Sequence, residues 1–200
     1  MKITADITGM FKADGRSALH VCRTLKYLSD SCPECQIECY ADAGTVSALF
    51  GTDEDDRKRD NILSGRPLSF HVSRTVACTR HSMRTDMAGS PSDVYLGLSG
   101  NLPRRFRRYA RTTVVAVYSL DFVSSLDGYS WIRRHVLNLK YRRICRRSDY
   151  FIVPDAGLAA GLTRYYYVPK DRIFVLRDND GLQEMLDAVS RCPQRQGSRH

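Results

Sequence analysis

No run of apolar residues in this chain approaches the roughly 18 that a transmembrane helix needs, so no membrane span is expected. The first residues, Met1 to Ile7, include Lys2 and Asp6 and form no apolar core, so they do not read as a signal peptide. There is no P-loop, no dinucleotide-binding fingerprint and no nucleophile–base pair. A self-sufficient small α/β enzyme therefore has no visible machinery. Nor is there an internal repeat, or a linker long enough to separate a pair of domains.

What is present is ordinary in amount and uneven in placement. With 42% hydrophobic and 26% charged residues, the 200-residue chain can bury one core, which argues against disorder. Seven cysteines, at 22, 32, 35, 39, 78, 145 and 192, are an odd number; without a secretory signal they read as reduced thiols of a cytosolic protein. Acidic residues are nearly missing from one stretch. Between Arg104 and Arg147 twelve Lys and Arg face only Asp121 and Asp127, so this stretch carries +10 and the rest about −1, for a formal net charge of +9. Such a block points to an anionic partner: a membrane surface, a phosphate-bearing substrate or nucleic acid.

The apolar pattern alternates between short runs and helical periods. Lys2 to Ile7 sets Ile3, Ala5 and Ile7 against polar neighbours and stops at Gly9, as a first strand and turn would. Ser17 to Leu28 has helical spacing; Gln36 to Ala41 reads as a second strand, and Thr45 to Phe50 as a turn or two of helix. Asp53 to Asp60 is a charged loop, and from Asn61 to Ser92 the periodicity is poor. Asp93 to Gly97 is the next strand. Thr112 to Tyr118, apolar almost throughout, reads as the central strand of a parallel sheet. Then come a helix over Trp131 to Arg147, a strand over Tyr150 to Val153, a helix over Ala156 to Tyr166, a strand over Arg172 to Leu176 and a helix over Gly181 to Arg191. Strands alternating with helices predict an α/β fold: a Rossmann-like, doubly wound, mainly parallel sheet with helices on both faces. Residues 1–180 form the expected domain, and 181–200 a terminal amphipathic helix and basic tail.

Several segments, in order, resemble the N-terminal domain of family 4 glycosyltransferases of the GT-B fold. They are Lys2-Ile3-Thr4-Ala5-Asp6-Ile7-Thr8-Gly9; Gly15-Arg16 opening a helix that runs through Leu25 and Leu28; and Asp93-Val94-Tyr95-Leu96 followed by Leu102-Pro103. Val114 to Leu120 stands where the family has Val-Val-x-x-His-Asp-Leu. Ser148 to Pro154 and then Tyr167 to Val175 match its closing pattern. The resemblance covers about positions 2–176 and implies the acceptor-side half of such an enzyme.

Departures accompany it. The family's His and Asp are Tyr118 and Ser119 here, Leu96 replaces an earlier His, Pro154 replaces a Ser, and the Gly-rich first loop is thinned to Ala13-Asp14-Gly15. Nothing after Leu176 resembles the donor domain, which in the family holds the sugar nucleotide. The resemblance therefore implies a chain that is inactive alone: a subunit of a split transferase, or a truncated or decayed paralogue. It would bind no cofactor tightly, and sugar nucleotide only with a donor-domain partner chain. Ligands of open α/β sheets lie at the C-terminal ends of the strands, which would gather Gly9, Gly15, Arg16, Tyr118, Ser119 and Asp121 around an acceptor crevice. With a reference pKa of about 10, Tyr118 cannot replace an imidazole at neutral pH, but it can stack or donate a hydrogen bond.

Three further clusters invite a chemical reading. Cys32, Cys35 and Cys39 have no nearby His to complete a zinc site and precede a strand rather than open a helix, so no metal is assigned to them. Asp178-Asn179-Asp180 has an Asp-x-Asp form but reads as the capped start of a helix. The helix with Arg133, Arg134, Lys140, Arg142, Arg143, Arg146 and Arg147 is interleaved with Trp131, Ile132, Val136, Leu137, Leu139, Tyr141 and Ile144. Its amphipathicity is imperfect: Ile132, Val136 and Leu139 cluster, the others do not, and a packed helix with a solvated basic side fits better than an interfacial one. The basic block is nonetheless expected to meet an anionic surface, most simply the inner face of a membrane. Nucleic acid is disfavoured because no known binding motif or stacking platform is present.

Overall fold

The structure, a computed structural model, describes residues 1–10, 15–50, 68–124, 130–176 and 179–191. The expected charged loop at 53–60, Asp127, Asp178 and the basic tail at 192–200 lie outside the described residues.

Seven strands form one sheet: β1 (Lys2–Asp6), β2 (Gln36–Asp42), β3 (Leu68–Ser73), β4 (Ser92–Gly97), β5 (Ala110–Ala116), β6 (Tyr150–Val153) and β7 (Ile173–Val175). Every neighbouring pair is parallel, in the order β3-β2-β1-β4-β5-β6-β7. The helices are α1 (Gly15–Ser31), α2 (Ala43–Phe50), α3 (Val76–Gly89), α4 (Asp121–Ser124), α5 (Trp131–Arg147), α6 (Ala156–Tyr166) and α7 (Asn179–Arg191). The sheet is thus doubly wound and Rossmann-like, reversing direction between β1 and β4.

Strand parity builds two cores. Ile3, Ala5, Ile37, Cys39, Val94, Leu96, Val114, Ala116 and Ile152 point to one face, where Val21, Leu25 and Leu28 of α1 and Leu182, Met185, Leu186 and Val189 of α7 cover them. Tyr40, Tyr95, Val115, Phe151 and Val153 point to the other, under Met83 and Met87 of α3, Ile144 of α5 and Leu162 of α6. Val114 and Ala116 of β5 face one core and Val115 the other, which is why the second half of that strand shows no alternation.

Two expectations change. The apolar run at 112–118 belongs to β5, an interior strand, but the middle of the seven is β4; burial on both faces makes any interior strand continuous, so the pattern could not rank them. The stretch with poor periodicity holds β3 and α3. β3 is an edge strand with half its residues exposed, including Val72, so it had no need of an apolar face. α3 buries Thr79, Met83 and Met87, one turn apart, and Thr75 caps it by accepting the Cys78 N–H.

Two connections differ from the rest. β4 to β5 is crossed by residues 98–109 with only a 3-10 turn at Phe106–Arg108 and no α-helix of its own. α6 ends on Tyr167, in the left-handed region at φ +56, before Val168-Pro169.

Candidate functional site

All strands run one way, so their C-terminal ends share one edge, and the reversal between β1 and β4 is where ligands of such sheets bind. β1 ends on Asp6, fully buried. Its Oδ1 accepts from the Thr8 N–H (2.9 Å) and hydroxyl (2.7 Å), and its Oδ2 from the Tyr95 hydroxyl (2.8 Å). β2 ends on Asp42, whose carboxylate accepts from the Gly9 N–H (2.7 Å) and from the Thr45 hydroxyl (2.7 Å) and N–H (3.1 Å). Burial works to raise the Asp42 pKa, but these hydrogen bonds outweigh it and hold the group below the ordinary carboxylate value. Gly9 sits at φ +77, a conformation strained for any other residue, and so turns its N–H toward Asp42. Two buried carboxylates therefore lock the turn after β1.

The loop after β4 folds over the same place. Ser99 N–H donates to the Asp6 carbonyl at 2.9 Å. A Cβ on Gly97 would stand 2.3 Å from the Asn101 carbonyl oxygen, so only glycine lets the chain double back.

The six residues expected around an acceptor all fall at this edge by chain position. Gly9 follows β1, Gly15 and Arg16 open α1, Tyr118 and Ser119 follow β5, and Asp121 opens α4. The side chain of Arg16 and residues 11–14 lie outside what is described. The Tyr118 ring stacks on His20 of α1, with centroids 6.2 Å apart and planes 17° from parallel. Its hydroxyl is buried and has no hydrogen-bond partner among the described residues. Burial, then the Cys22 thiol, pushes its pKa up, so it is a neutral phenol. Ser119 Oγ donates to Asp121 Oδ2 at 2.7 Å and accepts from the Asp121 N–H at 3.1 Å.

The seven basic residues expected to face an anionic surface divide among the sides of α5. Ile144 and Cys145 are buried, with Leu137 and Tyr141 partly so beside them. Arg134 is on that inner side: its Nε donates to the Phe122 carbonyl at 3.0 Å and ties α5 to α4. Lys140 and Arg147 are half-buried on one flank. Arg142, Arg143 and Arg146 face outward. So do Trp131 (78% exposed), Ile132 (68%) and Val136 (60%), with Leu139. The expected packed helix with a solvated basic side is thus present, and exposed apolar residues stand beside those arginines. α5 has two apolar sides, one in the core and one in solvent, and a helix apolar on opposite sides has weak net amphipathicity. Among the described residues no helix is long and apolar enough to cross a membrane.

Cys32, Cys35 and Glu34 bring three potential ligand atoms within 4.8 Å of one another. Desolvation raises both thiols, Cys35 to about 12, which works against the thiolates a metal would need. Cys39, fully buried in β2, belongs to the core. Asp149 of the Ser148-Asp149 pair sits at the opposite edge, where its Oδ2 accepts from the Thr113 N–H and hydroxyl and its carbonyl accepts from Arg172 Nε. That part of the resemblance is therefore carried by residues that join β5, β6 and β7.

Sequence reasoning missed Asp6, Asp42 and His20. Asp6 and Asp42 each close a strand, and an acidic residue ending an apolar run was the available signal. No protein-family model matches the chain, and no curated protein matches it.

Proposed function

We propose that the chain is the acceptor-side half of a GT-B-type glycosyltransferase system, acting with a separate chain that holds the sugar nucleotide. The observation that carries this reading is a coincidence of register. Five of the segments that resemble the family run along a strand or border one: Lys2–Gly9 on β1, Asp93–Leu96 on β4, Val114–Leu120 on β5 and beyond, Ser148–Val153 on β6 and Tyr167–Val175 on the approach to β7, while Gly15-Arg16 opens α1 and Leu102-Pro103 lies in the β4–β5 crossing. The strands stand in a doubly wound order, and the residues read as acceptor-facing share its C-terminal edge. The locked turn at Gly9 and the Ser119–Asp121 pair offer backbone and side-chain polar groups there, suited to a hydroxylated acceptor. Tyr118, neutral and with its hydroxyl buried, is no general base. Catalysis would thus depend on the partner chain.

The test is purification of the tagged full chain from its native cell, with identification of what accompanies it, followed by calorimetry with UDP- and GDP-sugars. The reading expects a co-purifying chain with a second Rossmann-like domain, and sugar-nucleotide binding by the pair only. Binding by this chain alone with a Kd below about 10 µM, some −7 kcal/mol, would contradict it.

A second reading rests on the outward side of α5. An exposed Trp131-Ile132-Val136-Leu139 surface that runs into Arg142, Arg143 and Arg146 suits an anionic bilayer, with the aromatic ring at headgroup level and the cations on phosphate. The two readings are compatible, since an acceptor embedded in a membrane would be reached from such a surface.

A further inference from the structure

The short crossing between β4 and β5 leaves a gap between α3 and α5, and cationic side chains line it. A cleft of about 250 Å³ opens there. Arg80 of α3 stands on one wall and Lys140, Arg143 and Arg147 of α5 on the other, with Asn101 and Leu102 between. The α5 residues fall at steps of three and four, so they share one flank of the helix. The cleft continues past Arg80 toward Arg84 and Arg104.

Two features make this more than a solvated basic surface. Arg80 Nε is buried and has no hydrogen-bond partner among the described residues, and a buried N–H normally finds one. The cleft also lacks anions of its own. Among the described residues none of Arg80, Lys140, Arg143 and Arg147 has a carboxylate within 4 Å. The carboxylate nearest in effect, Asp6, is already taken by Thr8 and Tyr95. Lys140 is partly withdrawn from water, and burial followed by repulsion from Arg80 lowers its pKa. Cations brought together without counter-charge are complete only when an anion joins them.

We propose that this cleft binds a phosphate-bearing group, a diphosphate or phosphomonoester, with Arg80 and Arg143 forking its oxygens and Lys140 and Arg147 neutralising its charge. The site is on the α3–α5 face, reaches the strand ends only through Asn101, whose carbonyl accepts from the Tyr95 hydroxyl beside Asp6, and does not rest on the transferase reading. Four cations around a volume of this size suit a compact, multiply charged group better than an extended strand of nucleic acid. Such a group could come from a soluble phosphate compound or a phospholipid headgroup.

The experiment uses the full chain and three probes: inorganic pyrophosphate by calorimetry, vesicles of phosphatidylcholine with and without phosphatidic acid by sedimentation, and a duplex oligonucleotide. Each is tested on wild type, Lys140→Met, Arg143→Ala and, as a control outside the cleft, Arg133→Ala. A circular-dichroism melt accompanies each variant. Arg143 is exposed, so its truncation keeps the test open if Lys140→Met folds poorly. The proposal expects pyrophosphate binding that weakens with salt and falls roughly tenfold in each cleft variant, with Arg133→Ala unchanged. Binding only to phosphatidic acid vesicles, with the same dependence on Lys140 and Arg143, also supports it and assigns the group to a lipid. Equal losses in Arg133→Ala, binding indifferent to the cleft variants, binding of the duplex alone, or no binding to any probe would each overturn it.

Discussion

The two faces of the sheet solve the same covering problem differently. On the face of α1, α2 and α7 the two longer helices, α1 and α7, each have one apolar stripe and bury it in one core. On the face of α3, α5 and α6 one crossing lacks an α-helix, leaving a cleft, and α5 keeps a second apolar side in water beside its arginines. Burial of apolar surface stabilises by about 25 cal/mol per Å². Exposed Trp131, Ile132 and Val136 contribute almost none of that to this chain. The first face holds the fold together; the second presents more than folding requires.

Truncations should separate the faces most strongly. Leu25→Ala or Met185→Ala, each fully packed against the sheet, should cost about 2–5 kcal/mol, read as a lowered midpoint in urea. Trp131→Ala and Ile132→Ala should move stability by no more than about 0.5 kcal/mol. A large loss at Trp131 would mean that the second face is structural after all.

A smaller effect is expected where the edge meets the first face. Asp42→Asn removes the anionic acceptor of Gly9 and Thr45 and should cost about 1–3 kcal/mol. The Asp42 pKa is depressed in the fold, so its contribution is present above the unfolded value of about 3.9 and lost as pH falls through the folded value. The variant should therefore lose less of its melting temperature between pH 6 and pH 2 than wild type does. Parallel acid limbs would remove Asp42 from the account.

The smallest change is predicted in the cleft. Lys140 has a lowered pKa; below the folded value the charged form destabilises, and the penalty fades as pH rises toward the ordinary value of about 10.4. Lys140→Met, without ligand at pH 7, should raise stability slightly, by well under about 1 kcal/mol after solvent screening. A fall would show that the ammonium has a partner.

The first face was also the legible one. Val21-Leu25-Leu28 and Leu182-Met185-Leu186-Val189 announce their helices because a helix that packs on one side must repeat with its turn. The buried strands announced themselves as apolar runs. β3 did not, because an edge strand owes little to the core, and α3 was obscured because it packs on only Thr79, Met83 and Met87. The site was legible as chain positions and not as chemistry. That Gly9, Tyr118 and Ser119 share an edge follows from parallel strands, but the Asp6–Tyr95 and Asp42–Gly9 contacts join residues 89 and 33 positions apart, which no local pattern encodes. In α5 the cluster of Ile132, Val136 and Leu139 was legible, but with a second apolar side on the same helix the period could not tell which of the two faces solvent.

The outward side of α5 carries exposed Trp131, Ile132 and Val136 beside Arg142, Arg143 and Arg146. Vesicle sedimentation of the full chain, with and without anionic lipid and at two salt concentrations, measures whether the second face binds. Binding should need anionic lipid, weaken as salt rises, and fall both in Trp131→Ala and in a protein with Arg142, Arg143, Arg146 and Arg147 changed to Ala that still folds. Each cation near such a surface contributes about 1 kcal/mol, so the fourfold change should abolish it. Equal binding to neutral vesicles, or none to either, would contradict the claim that this face is kept for an anionic surface.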